Sequence, residues 1–397
     1  MQKHLIGLVS YSDYGGGASR AFKRWENLLY SSKNFDYKTF LFHKNNVSYQ
    51  YNTTEKFDHK VAAIATQLQA QIGSKLKLTD GGHMSLNLMP SIYGHKLMRE
   101  PVDIFNFHWC QGEMMSINQI SKITQPIIWT LHDPWIINGI GHYRQMIRSG
   151  FLGTIHKNLN MWTGKRKQVL LNPKNRYIAP SEWIAQELVD FGIASELIKV
   201  IPNPIDLNTF SPKNKQLSRK KLSISQNKLI VLFGAGTDFK DLRKGFDLGI
   251  RLLEKVSAHI EFELVTFGHK LNDIEFSFKT THLGQINDDD MLANLYSSAD
   301  ITLVPSRIDN LPQVMTESLA CGTPVFAFPS GGPQRIISSE FGTVANSFEL
   351  EIASMDFLQM IKSINTYNQA KISNAARLIW NEDKILKDFE AVITNLK

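Results

Sequence analysis

Short apolar runs alternate with helix-length segments along most of this chain, and the alternation stops once and then starts again. In the first half, strand-sized runs occupy residues 5–10, 37–42, 104–108, 127–131 and 176–179. In the second half they occupy residues 229–234, 262–267, 282–285, 301–305 and 325–328. Strands separated by helices form parallel sheets that are covered by helices on both faces. The pattern therefore predicts an α/β protein with two doubly wound, Rossmann-like domains.

The interruption between the two halves has the composition of a linker. Residues 201–212 contain three prolines and two asparagines between two periodic segments, and this predicts a hinge. We predict an N-terminal domain over residues 1–200, a hinge over 201–212 and a C-terminal domain over 213–375. Residues 376–397 are predicted to form a C-terminal helix that packs back across the hinge. A chain of 397 residues is long enough for two such domains.

Several protein classes are excluded by composition. No run approaches the roughly 18 consecutive apolar residues that a transmembrane helix needs. The N-terminal residues lack the apolar core and the cleavage site of a signal peptide. Two cysteines, Cys110 and Cys321, cannot form a disulfide framework. These features predict a cytoplasmic protein.

The positive charge is concentrated in the first half of the chain. Residues 1–200 carry 23 Lys and Arg against 14 Asp and Glu, whereas residues 201–397 carry 21 against 23. No acidic residue occurs between Asp133 and Glu182. A basic surface attracts nucleic acid, anionic lipid or a phosphorylated substrate. An ordinary solvated helix face is the alternative interpretation.

A glycine-rich segment follows the first predicted strand. Open α/β sheets bind ligands at the carboxyl ends of their strands, so two facing domains would bind a ligand in the cleft between them. Gly15, Gly16 and Gly17 lie at such an end, just before a predicted helix. Glycines let backbone N–H groups approach a phosphate, and a helix N-terminus favours negative charge. A plain tight turn is the alternative.

Two histidines end neighbouring apolar runs of the first half. His132 lies in the segment Thr130–Trp135 (TLHDPW), and His108 ends a comparable run. A histidine at such a position can donate a hydrogen bond to a hydroxyl or a phosphate, or transfer a proton. The alternative is a residue that only caps a helix or fills a gap. The histidines lack the spacing of zinc ligands, so we predict no metal site.

The second half places charged side chains after two strands. Arg243 and Lys244 follow its first strand and could clamp a diphosphate, although a charged loop is the commoner role of such a pair. Asp309 follows a later strand, and Glu317 lies on the next helix near its apolar face. A buried carboxylate needs hydrogen-bond donors, which the hydroxyls of a ribose can supply. Two unrelated acids that cap a helix are the alternative.

Taken together, these motifs resemble the GT-B glycosyltransferases of the large retaining family 4. The resemblance is strongest from Leu229 to Gly332, which includes the segments 295–300 (LYSSAD) and 320–325 (ACGTPV). The most similar subgroup makes bacterial surface polysaccharides and includes colanic-acid-type enzymes. The resemblance implies two domains facing across a cleft. It also implies transfer of a sugar from a nucleotide-diphosphate sugar to a saccharide acceptor.

The resemblance also implies roles for acidic and backbone groups of the second domain. Glu317 matches the second acid of the family's Glu-x7-Glu motif and would hold the donor ribose. Asp309 stands at the first acid, which is usually Glu, and would contact the transferred sugar. The backbone groups of Asn310 and Leu311 would help to bind sugar and phosphate. Because aspartate is one methylene shorter than glutamate, we expect this departure to alter which sugar fits.

Groups that bind phosphate are implied in both domains. Lys244 matches the family's phosphate-binding lysine, and Arg243 would substitute for an arginine that the family usually has several residues earlier. Gly16 and Gly17 match the loop beneath the donor phosphates. His132 matches a histidine near the reacting sugar. The implied reaction is a front-side substitution in which basic groups stabilise the leaving phosphate, and it needs no metal ion or other cofactor.

The resemblance suggests a use for the basic first half, because the first domain of these folds receives the acceptor. A saccharide carried on a lipid diphosphate at the anionic inner face of the plasma membrane would suit this charge. We expect no nucleic-acid partner. A nucleotide-sugar epimerase and a non-catalytic nucleotide-sugar binding protein of the same fold are the alternative functions. A nicotinamide dehydrogenase is disfavoured, because no G-x-G-x-x-G motif with a downstream acid follows either opening strand.

Overall fold

The computed structural model describes residues 4–32, 35–43, 56–75, 84–143, 150–235, 241–268 and 276–396. They belong to two compact units. The first unit consists of Met1–Pro204 with Glu382–Lys397, and the second consists of Ile205–Asn381. The chain therefore leaves the first unit at Pro204, inside the predicted hinge, and returns to it at Glu382.

The strands of the described residues are β1 (Leu5–Ser12), β2 (Asp36–His43), β3 (Ile104–Phe107), β4 (Ile127–Thr130), β5 (Arg176–Ala179), β6 (Ile198–Val200), β7 (Leu229–Ala235), β8 (Phe262–Gly268), β9 (Lys279–His282), β10 (Ile301–Val304), β11 (Val325–Ala327) and β12 (Gly342–Val344). The α-helices are α1 (Gly17–Ser32), α2 (Lys56–Lys75), α3 (Ile92–Leu97), α4 (Ile117–Ile120), α5 (Gly150–Lys167), α6 (Glu182–Phe191), α7 (Lys215–Lys221), α8 (Phe246–Ser257), α9 (Asp289–Ser298), α10 (Gln313–Ala320), α11 (Gly332–Ile336), α12 (Leu350–Lys362), α13 (Gln369–Ile379) and α14 (Glu382–Thr394). Short 3-10 turns occupy Gln168–Leu170, Ser195–Leu197, Leu242–Lys244 and Ile364–Thr366.

Each unit contains one six-stranded sheet in which all pairs are parallel. The strand order is β2-β1-β3-β4-β5-β6 in the first unit and β12-β11-β10-β7-β8-β9 in the second. In both sheets the order reverses beside the first strand of the unit, which is the arrangement of a doubly wound fold. The predicted α/β class with two doubly wound sheets is confirmed.

The strands are apolar because both faces of each sheet are covered. In the first unit one face packs on a core that includes Phe105 and Trp129, and the other on a core that includes Trp25. The second core also contains Ile385 and Phe389 of α14, so the last helix is part of the first unit. The second unit also has a core on each face of its sheet.

The largest departures from the predicted elements lie where the hydrophobic pattern is weak. The strand predicted at residues 282–285 lies at Lys279–His282 as β9, a half-exposed edge strand of polar residues. Helices α5 and α13 were not predicted. In α5, glycines and polar residues interrupt the spacing of the apolar residues. In α13, several of the apolar positions are alanines, which give only a weak hydrophobic pattern. Within the described ranges, no helix combines the length and the apolar composition that crossing a bilayer requires.

Candidate functional site

The glycine segment forms the turn between β1 and α1. The Ser12 hydroxyl donates to the Tyr14 carbonyl at 2.8 Å and lies 2.8 Å from the Ser19 hydroxyl, so the turn is fixed at both ends. Gly15 has φ +100°, where a side chain is strained. A Cβ added at Gly16 or Gly17 would meet no atom of the described residues within 4 Å. Steric packing within the protein therefore does not require glycine at these two positions, and their surface leaves room for an external group.

The two histidines that end neighbouring strands of the first sheet are in contact. Nδ1 of His108, after β3, lies 3.1 Å from Nε2 of His132, after β4, and the rings stack at 5.3 Å. His108 is buried and His132 is partly buried. Burial lowers the pKa of His132 to about 4, even though the neighbouring Asp133 acts in the opposite direction. Burial and the nearby His132 also lower the pKa of His108 well below its usual range. Both rings are therefore neutral at neutral pH.

The residue after His132 anchors a buried polar network. Oδ2 of Asp133 lies 2.8 Å from Nδ1 of His142, whose Nε2 lies 3.0 Å from the Ser85 hydroxyl. The Trp135 backbone N–H donates to Oδ1 of Asp133 at 3.0 Å. Burial raises the pKa of Asp133, but the charge and hydrogen bond of His142, with smaller contributions from Trp135 and His132, outweigh it and lower the pKa overall. The segment that follows His132 is thus fixed by an ionised carboxylate.

A buried lysine binds the backbone of the residues that follow Asp133. The Lys167 ammonium donates to the carbonyl oxygens of Trp135, Asn138 and Gly139 at 2.7–3.0 Å, and it lies 3.9 Å from the centre of the Trp135 ring. Three acceptors match the three hydrogens of an ammonium group. Lys167 lies in the segment between Asp133 and Glu182 that has no acidic residue, yet it is buried and its ammonium binds groups inside the fold.

In the second unit, Lys244 and Asp309 form an ion pair. The Lys244 ammonium donates to Oδ2 of Asp309 at 2.6 Å, and the Ser306 hydroxyl donates to the same oxygen at 3.2 Å. The backbone N–H of Asn310 donates to Oδ1 at 3.0 Å. The Asp309 side chain is buried, whereas that of Lys244 is 50% exposed. The pair therefore joins a fixed carboxylate to a cation that solvent and ligands can reach.

Arg243 does not join this pair. Its guanidinium binds both carboxylate oxygens of Asp241, at 3.0 and 2.7 Å, within the same turn. The turn itself is tied to the segment after β10, because the Arg307 backbone N–H donates to the Arg243 carbonyl at 2.7 Å. The Arg307 guanidinium binds both oxygens of Asp247 and lowers the pKa of that carboxyl. These contacts place Lys244 beside Asp309.

Glu317 is buried on α10, as the helical spacing predicts. Its Oε2 accepts a hydrogen bond from the Tyr296 hydroxyl of α9 at 2.7 Å, and 1% of the residue is exposed. Leu311, also buried, precedes the same helix. The donor that the Glu317 carboxylate needs is therefore supplied, at least in part, by the protein itself.

A second glycine pair supports Asp309 and was not identified from the sequence. The backbone of Asp309 donates to the Ser330 carbonyl at 2.8 Å and accepts from the Gly332 N–H at 2.9 Å. A Cβ on Gly332 would lie 1.4 Å from the Asn310 carbonyl oxygen, and Gly331 has φ +96°. The segment SGGP at residues 330–333, directly after an apolar run, was the signal that could have revealed this turn.

The structure thus brings some of the predicted site residues together within each unit. Lys244, Asp309 and Asn310 form one group in the second unit, while Arg243 and Glu317 bind other partners. In the first unit His132 contacts His108, a residue to which the family resemblance gave no role. Among the residues that the structure describes, no group of three or more His, Cys, Asp or Glu side chains could hold a metal ion.

Two family models match the chain. The model of the glycosyl transferases group 1 matches residues 214–377. The model of Glycosyltransferase Family 4 matches residues 83–209. The two matches take in most of the chain and divide near the boundary between the two units.

Individual proteins show weaker similarity. The D-inositol 3-phosphate glycosyltransferase of Paenarthrobacter aurescens (strain TC1) is 28% identical over 206 residues, which are 46% of this chain and 50% of that protein. The match therefore spans only about half the length of this relative. WcaC of Escherichia coli (strain K12), named for colanic acid biosynthesis, is 20% identical over 326 residues, which are 74% of this chain and 76% of WcaC.

Solved structures share the fold along the whole chain. The sucrose-phosphate synthase of Thermosynechococcus elongatus matches with a TM-score of 0.69 and 15% identity, covering 99% of both chains. HepE of Anabaena, in complex with UDP-glucose, matches with a TM-score of 0.65 and 16% identity, covering 98% of this chain and 100% of HepE. At these identities the similarity shows the fold alone.

Proposed function

Because the chain belongs to the family 4 glycosyltransferases of the GT-B fold, we propose that it transfers a sugar from a nucleotide-diphosphate sugar to a saccharide acceptor with retention of configuration. The pathway we propose is the synthesis of a bacterial surface polysaccharide, such as an exopolysaccharide, an O-antigen or a capsule. The similarity to WcaC, whose name refers to colanic acid biosynthesis, supports this assignment. HepE, which shares the fold, was solved with UDP-glucose, so uridine nucleotides are the first donors to test.

The observation that carries the proposal is the ion pair of Lys244 and Asp309. A sugar diphosphate presents hydroxyl groups and, a few ångströms away, a negative charge. The buried carboxylate of Asp309 can accept hydrogen bonds from sugar hydroxyls, and the exposed ammonium of Lys244 can bind the phosphate. The two groups lie 2.6 Å apart, which suits a ligand that carries both features.

The other donor-binding roles follow from position and burial. Glu317 is proposed to accept hydrogen bonds from the ribose hydroxyls, with Tyr296 holding its carboxylate in place. The Asn310 and Leu311 backbone groups, just before α10, are proposed to contact sugar and phosphate. Arg243 is proposed to add positive potential near the diphosphate, although Asp241 neutralises much of its charge.

The first unit is proposed to supply a hydrogen-bond donor and a phosphate loop. His132 is proposed to contact the transferred sugar. Gly16 and Gly17 are proposed to bring backbone N–H groups to the donor phosphates, which the open space above them supports. We expect this chemistry to proceed without a metal ion or other cofactor, since Lys244 and the backbone groups provide the positive potential.

The proposed reaction exchanges two bonds at the anomeric carbon on one face of the sugar. The bond from this carbon to the phosphate oxygen breaks, and a bond to the acceptor oxygen forms. The acceptor proton passes to the departing phosphate, whose growing charge Lys244 stabilises. Asp309 and His132 orient the sugar and take no part in bond making.

A thermal-shift screen tests donor binding. UDP, UDP-glucose and the corresponding GDP and dTDP compounds are added without metal, and a ligand that binds the folded protein raises its Tm. We expect a selective shift with one nucleotide. Lys244→Ala and Glu317→Gln are expected to reduce the shift by weakening binding at least 10-fold. No shift with any nucleotide would contradict the proposal.

Two matched variants control for general effects of these substitutions. Lys255→Ala removes another lysine of an ion pair in the second unit, 3.0 Å from Glu351 on the surface. Glu263→Gln neutralises another buried glutamate of that unit, which binds Thr281 and Lys279. Both are expected to leave nucleotide affinity unchanged. If they weaken it as much as the site variants do, the assigned roles are wrong.

Product analysis separates transfer from the alternative functions. Asp309→Ala is expected to bind nucleotide but to lose transfer of the sugar. The anomeric configuration of the product, determined by NMR, is expected to match that of the donor. Conversion of the nucleotide sugar into an epimer without an acceptor would identify an epimerase. Binding with no turnover of any donor and acceptor would favour a non-catalytic protein.

The acceptor is proposed to be a saccharide on a lipid diphosphate at the inner face of the plasma membrane. The support is an apolar–basic surface of the first unit. Its exposed apolar side chains are Ile64, Leu68 and Ile72 on α2, Leu88, Met89 and Ile92 in and before α3, and Met161 and Trp162 on α5. Ile64, Leu68 and Ile72 follow at intervals of four residues and therefore share one side of α2.

Hydrogen bonds connect the three parts of this surface. The Leu86 backbone donates to Gln69 of α2 at 3.3 Å, and its carbonyl accepts from Arg166 of α5 at 3.4 Å. Arg166 lies over the Trp162 ring at 4.9 Å, and Lys165 of the same helix is exposed. Helices α2 and α5 together contain one acidic residue, Asp58 of α2, and it is buried. Apolar side chains on helices that carry basic side chains and no exposed acid suit an anionic lipid surface. Arg144 and Arg148 also belong to the segment between Asp133 and Glu182 that has no acidic residue, but they lie outside the described residues.

Sedimentation with lipid vesicles tests this surface. We expect the protein to bind vesicles that contain phosphatidylglycerol and not vesicles of phosphatidylcholine alone. Leu68→Glu is expected to weaken binding at least 10-fold. Leu378→Glu, which changes an exposed leucine of α13 in the second unit, is the control and is expected to have no effect. Equal binding to both vesicle types, or equal loss in both variants, would contradict the membrane proposal.

A further inference from the structure

The two ring nitrogens of His108 lie in different surroundings. Nδ1 lies 3.1 Å from Nε2 of His132. Nε2 is buried and has no hydrogen-bond partner among the residues that the structure describes. Phe22 and Trp25 of α1 pack against the ring in edge contacts at 5.1 and 6.3 Å. The contact with His132 is therefore the one polar interaction that the described residues offer to this ring's nitrogens.

Two arrangements of hydrogens satisfy that contact. In the first, His108 carries its hydrogen on Nδ1 and donates it to Nε2 of His132, which leaves a lone pair at Nε2 of His108 without a donor. In the second, His132 donates from Nε2, and the hydrogen of His108 lies on its own Nε2 with no acceptor. A buried N–H group without an acceptor is rarer in proteins than a buried acceptor without a donor. The first arrangement is therefore favoured.

We infer that His108 is a positioning residue that holds His132 as the neutral tautomer with its hydrogen on Nδ1. A second proton on His132 would have to bind Nε2, where it would face the N–H of His108. Nδ1 of His108 could accept a hydrogen bond from this new N–H group only if His108 moved its own hydrogen to its buried Nε2, which has no described partner. Asp133, the adjacent charged group, favours a positive His132, but burial of the ring outweighs it and lowers the pKa of His132 to about 4.

This tautomer limits what His132 can do. With its hydrogen on Nδ1 and its Nε2 accepting from His108, the His132 ring can donate a hydrogen bond from Nδ1 but cannot accept one there. It is then a hydrogen-bond donor and not a proton-transfer group at neutral pH. This consequence rests on the proposed function, which places His132 beside the sugar, whereas the tautomer itself does not.

Nuclear magnetic resonance of the ring nitrogens tests the inference without any substrate. Long-range 1H–15N correlation spectra of protein labelled with 15N-histidine distinguish a protonated from an unprotonated ring nitrogen, and His132→Gln identifies the His132 signals. We expect a protonated Nδ1 and an unprotonated Nε2 that stay unchanged between about pH 5.5 and 8. A hydrogen on Nε2 of His132, or titration within this range, would overturn the inference.

Two variants of His108 test whether it is the cause. His108→Asn places an amide N–H group near the position of Nδ1 and is expected to preserve the His132 tautomer. His108→Leu removes the donor at similar volume, and the His132 signals are expected to move toward the form protonated on Nε2. An unchanged tautomer in His108→Leu would refute a role for His108. If this variant does not fold, the wild-type and His108→Asn spectra still decide the question.

The same spectra keep this inference separate from the proposed function. If no nucleotide sugar binds but His132 carries its hydrogen on Nδ1, the proposed function fails and the tautomer stands. If nucleotide sugar binds and His132 titrates near neutral pH, donor binding is supported and the inferred tautomer is wrong. If the protein is active, kinetics provide a matching test. We expect that titration of His132 contributes no change in kcat between about pH 5.5 and 8.

Discussion

The substitution Gly17→Ala is expected to separate what the fold requires of the glycine loop from what a ligand requires. Within the part of the chain that the structure describes, an added Cβ at Gly17 meets no atom within 4 Å, and the backbone there is not left-handed. Gly17 is also the first residue of α1. Replacing a compatible glycine by alanine stabilises a protein by about 0.4–1 kcal/mol. For a unit of this size, that change raises the Tm by about 1–4 °C.

Nucleotide binding is expected to respond in the opposite direction. If the loop's backbone N–H groups bind a diphosphate, a methyl group on that surface keeps the phosphate out of hydrogen-bond range. The loss of one hydrogen bond to a charged group costs about 1.5–3 kcal/mol. This corresponds to an affinity for the nucleotide that is weaker by about 10- to 150-fold. The same methyl group would thus stabilise the fold and weaken the complex.

The measurement pairs a thermal scan with calorimetric titration of UDP or whichever nucleotide gives the largest thermal shift. Gly164→Ala is the matched control, because Gly164 lies in α5 of the same unit and its added Cβ also meets no described atom within 4 Å. It is expected to raise the Tm and to leave affinity unchanged. Equal affinity in Gly17→Ala and wild type would refute a phosphate-binding loop. A lower Tm in Gly17→Ala would refute the conclusion that the loop is sterically open.

Three further substitutions test the interior of each unit. Gly332→Ala is expected to destabilise the second unit by about 2–4 kcal/mol in urea unfolding, because its Cβ would lie 1.4 Å from the Asn310 carbonyl oxygen and displacement breaks two backbone hydrogen bonds; wild-type stability would contradict this. Tyr296→Phe is expected to cost about 1.5–3 kcal/mol, because it removes the 2.7 Å hydrogen bond to buried Glu317, and an unchanged Tm would count against it. Asp133→Asn tests pH dependence. The fold lowers the pKa of Asp133, so its ionisation stabilises the protein above the unfolded pKa of about 3.9 and this contribution disappears as pH falls through the folded pKa. The difference in Tm between wild type and Asp133→Asn is therefore expected to be constant from about pH 8 to 5 and to shrink below about pH 4; a constant difference down to about pH 3 would show that the stabilisation does not come from ionisation.

The strands of both sheets could be predicted because burial on two faces leaves a strong apolar signature. The run at Arg176–Ala179 was predicted with the bounds that the structure shows. The edge strand Lys279–His282 could not be placed, since one edge of it pairs with no strand and its polar side chains are half exposed. The position of such a strand is determined mainly by its pairing with β8, so its own sequence is not enough to predict it.

The candidate site was predictable residue by residue but not as a set of contacts. Lys244 and Asp309 are 65 residues apart, and only the parallel order of β7 and β10 in one sheet places their ends side by side. The sequence therefore assigned them separate roles and could not show that they form an ion pair. The contact between His108 and His132 was nearer to prediction, because both end neighbouring strands. The tautomer inferred from this contact depends on the buried Nε2 of His108, which has no described hydrogen-bond partner, and the spacing of residues in the sequence cannot show this.

The place of α14 in the first unit affects the order in which the chain can fold during synthesis. Four apolar side chains of this helix are buried, and Phe389 is fully enclosed. Each contributes about 1.5–3 kcal/mol, so together they approach the whole stability of an ordinary domain, about 5–15 kcal/mol. Residues 382–396 leave the ribosome only after the entire second unit, about 10–40 s after Pro204 at ordinary rates of synthesis. The second unit can therefore be complete while the first still exposes part of its core, so the N-terminal part of this protein is the part that most needs protection from aggregation during translation.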